Sequence, residues 1–467
     1  MFSFNILELA KTLDGKIKNI KNLNKHINKI IIDSRDMNTI ENKETEKNAA
    51  FLAIIGENFD GHKFCEYAIK KRAAFAIVEK EIAKIPQIIV KNTRKAFLKL
   101  AELNRSKFKG KLTAITGSVG KTTTKDMLAE ILKSCYQTLK TYKNFNNEIG
   151  LPKTILNLDE NYNACVVELG MSNFKEIKTL SLTCKPNIAI ITNIGTSHIE
   201  FLKTKENILK AKLEILEGME KNSPLILNQD DPMLKNLEIK NHKIVGCGIE
   251  NSMAIYSAKN LKQLSTSTKY DLHKKGNFLS QIVIPTIGEH NVLNSLLAIA
   301  AADLYGIEIE NIKRSLKNFN PPDMRQNIHI IDGIIAIADF YNASPESMRA
   351  SIKTLSKMET KGRKFAVLGS MLELGEISKK EHFEIGKFVI KNKVNFLYCY
   401  GDDAFYICKG AKEETEKTNY DCKIKYFSNR NELIDSLKAN LKKDDVVLFK
   451  ASRKLSFEDV FNRIFYF

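Results

Sequence analysis

The residues from Leu112 to Met127, LTAITGSVGKTTTKDM, combine the types that bind phosphate groups. The apolar run Leu112 to Thr116 predicts a strand, a glycine turn follows it, and Lys121 opens a predicted helix. Glycines let backbone N–H groups converge on phosphate oxygens, and the helix N-terminus adds partial positive charge. The lysine reaches the terminal phosphates, and the following hydroxyl can ligate magnesium. Because the flanking strand and helix argue against a plain helix N-terminus, this short GxxGKTT loop predicts that the chain handles ATP.

Two polar residues farther along could serve the same chemistry. Glu168 closes the predicted strand Ala164–Glu168, a position suited to holding magnesium near the phosphates, and His198 follows the predicted strand 187–193. The carboxyl ends of parallel strands meet at one edge of a sheet, so both should lie near the phosphate loop. A lone histidine in such a place is more often a loop or capping residue. Lys212, on a predicted helix, is by itself a solvated lysine.

Several other polar residues have ordinary structural explanations on spacing alone. Asn144 and Asn147 belong to KNFNNEIGLP, which is typical of a turn. Asn291 begins an apolar helix, where asparagine is a common cap. Arg325 follows a proline pair, and Asp339 closes a strand before another turn. None of these residues is specific when taken alone.

The composition indicates a cytoplasmic globular protein. The chain has 467 residues, of which 43% are hydrophobic, and this length predicts two to four domains. No apolar run approaches the roughly 18 residues of a membrane span, and the N-terminus is typical of a first helix and not of a signal peptide. Eight scattered cysteines without a CxxC pair predict reduced, buried thiols.

The chain is strongly basic, with a formal net charge of +18 and a pI of about 9.3. A nucleic-acid partner or the steering of polyanionic small substrates would explain such a charge. We favour a third interpretation, lysines spread over solvated faces, because no dense basic run is interleaved with aromatic residues.

Apolar strands alternate with helical stretches along the chain, which predicts an α/β fold with mostly parallel sheets. This pattern divides the chain into three predicted domains, 1–84, 85–319 and 320–467, and Pro321 and Pro322 mark the linker into the last one. The predicted strands are 29–33, 50–55, 73–79, 112–116, 164–168, 187–193, 224–228, 334–339, 364–369, 395–400 and 444–449, and the predicted helices include 93–108, 204–217 and 291–305.

Taken together and in order, these motifs resemble the Mur ligase family, within it the members that add D-alanyl-D-alanine. The resemblance runs from DSR (33–35) to KASR (450–453), nearly the whole chain. The most specific segments are GENFDGHKF (56–64), TGSVGKTTTK (116–125), NFNNEIGLP (144–152), VVELGMS (166–172), ITNIGTSHIE (191–200), AKLEIL (211–216), GEHNVLN (288–294), YNASPESM (341–348) and GSMLELGEIS (369–378). The DNPR signature usual in the sister enzyme that adds the third amino acid is missing.

The resemblance implies a UDP-binding first domain, a P-loop ATPase and a Rossmann-like third domain. It further implies an ATP-dependent ligase that joins D-alanyl-D-alanine to UDP-N-acetylmuramoyl-tripeptide through an acyl phosphate, completing the cytoplasmic pentapeptide precursor of peptidoglycan. The implied cofactors are ATP, two Mg²⁺ ions and a carbamylated lysine. We expect a monomer that has small-molecule substrates and binds no nucleic acid.

The resemblance also assigns roles residue by residue. ATP would contact Gly117, Ser118, Val119, Gly120, Lys121, Thr122, Thr123, Asn291, Arg325 and Asp339. Thr122 and Glu168 would hold one magnesium ion. A second ion would be held by Glu168, His198 and carbamylated Lys212. The implied catalytic residues are Lys121, Glu168, His198 and Lys212. The UDP-linked substrate would contact Asp33, Ser34, Arg35, Asn144 and Asn147.

The chain departs from the family pattern at four positions, which are Ala338, Ser344, Ser370 and Ala451. Two alternatives stay open beside the main interpretation. One is a different amide ligase of the same fold, either the enzyme that adds the third residue or a folylpolyglutamate synthetase. The other is a basic ATPase stimulated by nucleic acid, although helicase-like motifs are missing from the sequence.

Overall fold

Three large sheets, of five, nine and six strands, follow one another along the chain in the computed structural model, which describes residues 1–40, 48–56, 59–251 and 253–466. With the helices packed on them they form what we call the N-terminal, central and C-terminal units. The alternation of buried strands and helices therefore yields the predicted α/β architecture with mostly parallel sheets.

The N-terminal unit has a five-stranded sheet and a separate two-stranded pair. Its strands are β1 (Phe4–Asn5), β2 (Lys16–Lys18), β3 (His26–Ile27), β4 (Lys29–Ile31), β5 (Ala49–Leu52), β6 (Ala76–Val78) and β7 (Gln87–Ile89). Its helices are α1 (Ile6–Leu13) and α2 (Cys65–Lys70). The main sheet has the order β2-β7-β6-β5-β4, antiparallel only between β2 and β7.

The predicted limit of this unit at residue 84 is too early. Strand β7 pairs with both β2 and β6, and the N–H of Val90 still donates to the carbonyl of Val78. Removing β7 would leave β2 without a neighbour. We therefore propose a boundary after residue 90, before helix α3 (Thr93–Lys107) leads into the central unit.

The central unit is built on a nine-stranded sheet. Its strands are β8 (Lys111–Thr116), β9 (Thr138–Lys140), β10 (Ala164–Glu168), β11 (Ile188–Ile191), β12 (Pro224–Asn228), β13 (Lys243–Gly248), β14 (Tyr256–Gln263), β15 (Thr268–Lys274) and β16 (Asn277–Ile284). Its helices are α4 (Lys121–Leu132), α5 (Gly150–Ile155), α6 (Glu176–Cys184), α7 (Ile199–Leu202), α8 (Lys205–Leu213), α9 (Glu289–Leu304) and α10 (Ile309–Lys317). The order is β16-β15-β14-β13-β12-β11-β8-β10-β9.

Strands β8 to β14 run parallel to one another. Strands β15 and β16 add an antiparallel extension at the β14 edge. The sequence analysis missed β13 to β16. Strand β14 carries several exposed polar residues and β16 carries two, so both lack the continuous apolar run that marks a strand buried on both faces. Helix α9, which is apolar almost all round, covers this sheet together with α4.

The C-terminal unit has a six-stranded sheet. Its strands are β17 (Asn327–Ile331), β18 (Ile334–Ala338), β19 (Lys364–Gly369), β20 (Phe396–Tyr400), β21 (Lys423–Phe427) and β22 (Val446–Lys450). Its helices are α11 (Pro345–Lys357), α12 (Ser378–Lys391), α13 (Ala404–Thr418), α14 (Arg430–Asn440) and α15 (Phe457–Phe465). The order is β17-β18-β22-β19-β20-β21, and only β17 is antiparallel to its neighbour.

All eight cysteines are free thiols, as the sequence predicts. Seven of them are buried, but Cys135 is exposed at the end of α4, so the prediction of burial is wrong for this residue. In the part of the chain that the structure describes, no helix is both long and apolar enough to cross a membrane.

Candidate functional site

The phosphate loop lies at the carboxyl end of β8, between β10 and β11. Gly120 has a φ of +87° and Gly117 a φ of +150°, conformations that side-chain-bearing residues rarely adopt. A Cβ at Gly120 would collide with Asn294 of α9, and one at Gly117 with Thr192. Both glycines are therefore required by backbone conformation and by close packing.

Residues after β11 support the loop from one side. The side-chain oxygen of Asn193 accepts from the N–H of Val119 at 2.9 Å, and its carbonyl accepts from the N–H of Ser118 at 3.1 Å. The hydroxyl of Ser118 in turn accepts from the N–H of Gly195 at 2.8 Å. The sequence analysis did not single out Asn193, although its position at the end of a strand was the signal that could have done so.

Lys121 is the first residue of α4, and its amine turns back over the loop. Its Nζ donates to the carbonyl of Gly117 at 2.7 Å and to that of Ser118 at 3.3 Å. Burial lowers the pKa of Lys121, with the Glu168 carboxylate acting in the opposite direction. The ammonium is thus held at the mouth of the loop, where the terminal phosphates of a nucleotide would lie.

Glu168 ends β10 and is nearly fully buried. Its carboxylate accepts from the Thr122 hydroxyl at 2.7 Å and from the Asn146 amide at 2.8 Å, and its N–H donates to the Thr141 hydroxyl at 3.1 Å. A hydroxyl and a carboxylate beside a phosphate loop are ligands that Mg²⁺ accepts. Asn146 was quoted in the sequence motif but not predicted as a site residue; the structure adds it here.

His198 lies in the loop after β11 with a left-handed φ of +63°. Its Nδ1 lies 2.9 Å from the Oε2 atom of Glu373, which belongs to the C-terminal unit. Burial, followed by the positive charges of Lys121 and Lys212, lowers the pKa of His198 to about 4. A neutral imidazole, the form able to ligate a metal, is therefore favoured near neutral pH.

Lys212 is not the solvated lysine that its local sequence suggests. It sits on α8 with only 2% of its surface exposed, and burial, then the charge of Lys121, lowers its pKa well below the usual value. Throughout the described ranges, no hydrogen-bond or ion-pair partner contacts its amine. A buried cation without a partner is costly, so this amine is favoured in its neutral form.

The C-terminal unit closes the other side of the site. Asn291 donates to the side-chain oxygen of Gln326 at 3.0 Å, and the Arg325 guanidinium lies 4.0 Å from the centre of the Tyr341 ring. Asp339, at the end of β18, accepts from the Ser351 hydroxyl and is paired with Lys450 at 2.8 Å.

These elements surround a cavity of about 490 Å³. The predicted site residues that line it are Ser118, Val119, Gly120, Lys121, Thr122, Thr123, Asn144, Glu168, His198, Asn291, Arg325 and Asp339. Lining residues that the sequence analysis did not predict include Asn146, Thr192, Asn193, Asp231, His290, Gln326, Tyr341, Glu346, Ser351 and Lys450. The structure therefore brings polar residues of the central and C-terminal units to one nucleotide-sized space.

Five predicted site residues outside the nucleotide loop do not line this cavity: Asp33, Ser34, Arg35, Asn147 and Lys212. Asp33 forms an ion pair with Arg35 at 2.5 Å, and hydrogen bonding to that guanidinium lowers its pKa to about 2. Asn147 caps α5 by accepting from the N–H groups of residues 149 and 150. Glu57 and Asn58 of the GENFDGHKF segment lie outside the described residues.

The four departures from the family pattern have structural surroundings of their own. Ala338 packs in the apolar core of the C-terminal unit, and Ser344 caps α11 through a reciprocal bond with Ser347. The Ser370 hydroxyl accepts from the N–H of residue 404 at 3.1 Å. Ala451 is fully buried, and a Cβ added at Gly369 would meet it at 2.6 Å.

Replacing Lys450 with methionine should destabilise the protein by about 3–5 kcal/mol, because it leaves the largely buried Asp339 without its cation. The free energy of unfolding from urea titration measures this loss. Lys454→Met, an exposed lysine nearby, is the control and should change little. A loss for Lys450→Met below about 1 kcal/mol would mean that the pair behaves like a solvent-exposed one.

Comparison with known proteins identifies the family of this fold and site. Residues 115–302 match the Mur ligase middle domain, and residues 324–453 match the Mur ligase glutamate ligase domain. The UDP-N-acetylmuramoyl-tripeptide–D-alanyl-D-alanine ligase of Bacillus subtilis (strain 168) is 34% identical, over 98% of each chain.

Solved structures agree with these matches. The crystal structure of MurF from Acinetobacter baumannii superposes with a TM-score of 0.88 at 30% identity, over 99% of each chain. MurF ligase from Thermotoga maritima in complex with ADP superposes with a TM-score of 0.82 at 29% identity, covering 93% of this chain and 96% of that one. Similarity over nearly the full length, in sequence and in structure, places this chain in the Mur ligase family.

Proposed function

We propose that the protein joins D-alanyl-D-alanine to UDP-N-acetylmuramoyl-tripeptide, using ATP and releasing ADP and phosphate. The observation that carries this proposal is the cavity where the phosphate loop and Glu168 of the central unit face Arg325 and Asp339 of the C-terminal unit. Full-length relatives at 31–35% identity bear the name of this activity. The relative from Thermotoga maritima carries ADP, which agrees with a nucleotide in this space.

The chemistry must activate a carboxylate, whose direct displacement by an amine would expel oxide. A carboxylate oxygen of the tripeptide attacks the γ-phosphorus, the bond to the β-phosphate oxygen breaks, and ADP leaves with an acyl phosphate formed. The dipeptide amine then adds to the acyl carbon and loses a proton, and the C–O bond to phosphate breaks. The positive charges of Lys121 and Arg325 would offset the repulsion between ATP and the tripeptide carboxylate.

Residues of this site also fit magnesium. Thr122 and Glu168 would hold one ion, and Glu168, His198 and a carbamylated Lys212 a second. Bound magnesium would supply charge neutralisation at the phosphates. Within the described residues, no three His, Cys, Asp or Glu side chains form a group able to hold a metal. An anionic carbamate at Lys212 would add a third ligand beside Glu168 and His198.

The surroundings of Lys212 suit this modification. A neutral amine adds to CO₂, forming an N–C bond and releasing one proton, and the product carries −1 charge where the ammonium carried +1. Burial and the nearby charge of Lys121 keep the amine neutral. The amine has no hydrogen-bond partner among the described side chains that would have to be given up.

The remaining assignments follow the same proposal. The N-terminal unit binds the UDP part of the substrate, with Asp33, Ser34, Arg35, Asn144 and Asn147 as contacts. The central unit binds ATP, and the C-terminal unit presents the dipeptide. We further propose that the protein acts as a monomer in the cytoplasm and uses small-molecule substrates only.

A phosphate-release assay tests the proposed function. Purified protein, ATP and Mg²⁺ are combined with one carboxylate substrate and one amine at a time. The carboxylate substrates are UDP-tripeptides ending in diaminopimelate or lysine, UDP-dipeptide and folate, and the amines are D-alanyl-D-alanine, diaminopimelate, lysine and glutamate. Release that depends on both a UDP-tripeptide and D-alanyl-D-alanine supports the proposal. Release with UDP-dipeptide plus diaminopimelate or lysine would indicate the enzyme that adds the third residue, and release with folate plus glutamate a folylpolyglutamate synthetase.

The positive charge of +18 should serve no nucleic-acid function, because no dense basic run is interleaved with aromatic residues along the chain. We expect no complex with single-stranded or duplex nucleic acid in a fluorescence anisotropy titration at physiological ionic strength. A submicromolar complex that weakens steeply with salt, or ATP turnover stimulated by nucleic acid, would contradict this prediction.

A further inference from the structure

Two carboxylates of the C-terminal unit hold one loop of the central unit. The loop, residues 194–198, follows β11 and carries His198 at its end. Glu346, in the first turn of α11, contacts Thr196, and Glu373 contacts His198. The loop therefore touches the C-terminal unit beside the residue assigned to the metal.

Glu346 makes the more extensive of these contacts. Its Oε1 accepts from the N–H of Thr196 at 2.9 Å, and its Oε2 accepts from the Thr196 hydroxyl at 3.1 Å. The amine of Lys205 lies 3.7 Å from the same carboxylate. A Cβ at Gly195 would come within 2.8 Å of the Glu346 Cδ, so the carboxyl group lies directly on the loop backbone.

Two other backbone donors of the loop, those of Ile194 and Gly195, are satisfied within the central unit. The N–H of Ile194 donates to Asp231 at 2.8 Å, and the N–H of Gly195 donates to Ser118 of the phosphate loop. The N–H of Thr196 instead donates to Glu346, although Thr196 is buried. Without Glu346 this buried donor would lose its acceptor, which is costly.

We propose that Glu346 is a positioning residue that fixes the 194–198 loop, and with it His198, when the C-terminal unit is docked on the central unit. The bidentate carboxylate satisfies Thr196 and connects α11 to the loop that also contacts the phosphate loop through Ser118. This inference rests on the proposed function only where it concerns His198 as a metal ligand. The contact between the two units does not depend on it.

Hydrogen–deuterium exchange of the full-length protein tests the contact without any substrate. In Glu346→Ala the amide of Thr196 should exchange about ten- to hundredfold faster, the size expected for losing a charged acceptor, while the peptide covering 112–127 is unchanged. Glu346→Gln keeps one acceptor oxygen, so its Thr196 amide should exchange at a rate between those of the native chain and Glu346→Ala. Glu359→Ala, an exposed acid of the same unit, is the matched control and should match the native chain.

A second measurement ties the contact to the site. Binding of Mn²⁺ with a non-hydrolysable ATP analogue, followed by electron paramagnetic resonance, should weaken in Glu346→Ala, and kcat for phosphate release should fall about tenfold or more. Thr196→Val, which keeps the backbone donor, should lose less. Unchanged exchange at Thr196 would overturn the proposal. Faster exchange with unchanged Mn²⁺ binding and kcat would also overturn it, whereas an inactive native protein would instead count against the proposed function.

Discussion

Lys121→Ala should lower kcat/KM for phosphate release about 10²–10³-fold while the fold stays intact, because one preorganised charge at the developing phosphoryl transition state is worth about 3–4 kcal/mol. The lysine amine is held by two carbonyls of its own loop, where we propose that the terminal phosphates bind. Steady-state kinetics with circular dichroism as a check of folding measure the effect.

Lys133, an exposed residue at the end of the same helix, provides the matched control. Lys133→Ala should retain native kinetics, since its amine contacts Glu130 on the surface, away from the phosphate loop. If a folded Lys121→Ala enzyme turned over nearly as fast as the native chain, the assignment of this loop to ATP would be wrong.

Lys212→Ala should abolish most activity and yet keep nucleotide binding, because the phosphate loop is untouched. The variant loses the group that we propose becomes an anionic carbamate. The proposed magnesium site would therefore lack one negative charge. Added formate or acetate should restore part of the rate by placing a carboxylate in the vacated space. Lys212→Arg keeps a cation there and should not be rescued. Phosphate release and ADP titration calorimetry separate these outcomes.

Lys210, exposed on the same helix, is the control for this experiment, and Lys210→Ala should be fully active. A carbamate can also be observed directly as a new ¹³C resonance when the native protein is equilibrated with labelled bicarbonate. An active Lys212→Ala enzyme together with no such resonance in the native protein would refute the modification.

Much of the architecture follows from the sequence because buried parallel strands are marked locally by apolar runs. The predicted strands 164–168, 224–228 and 364–369 agree with β10, β12 and β19 to the residue. The extension β14 to β16 was missed, since its half-exposed strands interrupt their apolar residues with polar ones. The N-terminal boundary was placed too early because the pairing of β7 with β2 joins residues about 70 positions apart.

The sequence by itself determined the phosphate loop, its strand and helix, and the placement of Glu168 and His198 near it, because adjacent parallel strands bring their carboxyl ends together. Only the tertiary structure decided that Lys212 is buried, without a partner among the residues that the structure describes, and that Asn146 binds Glu168. It alone revealed the contact of Glu346 with Thr196, which are 150 residues apart. Such contacts leave no local pattern, because they depend on how the central and C-terminal units pack and not on the periodicity of either segment.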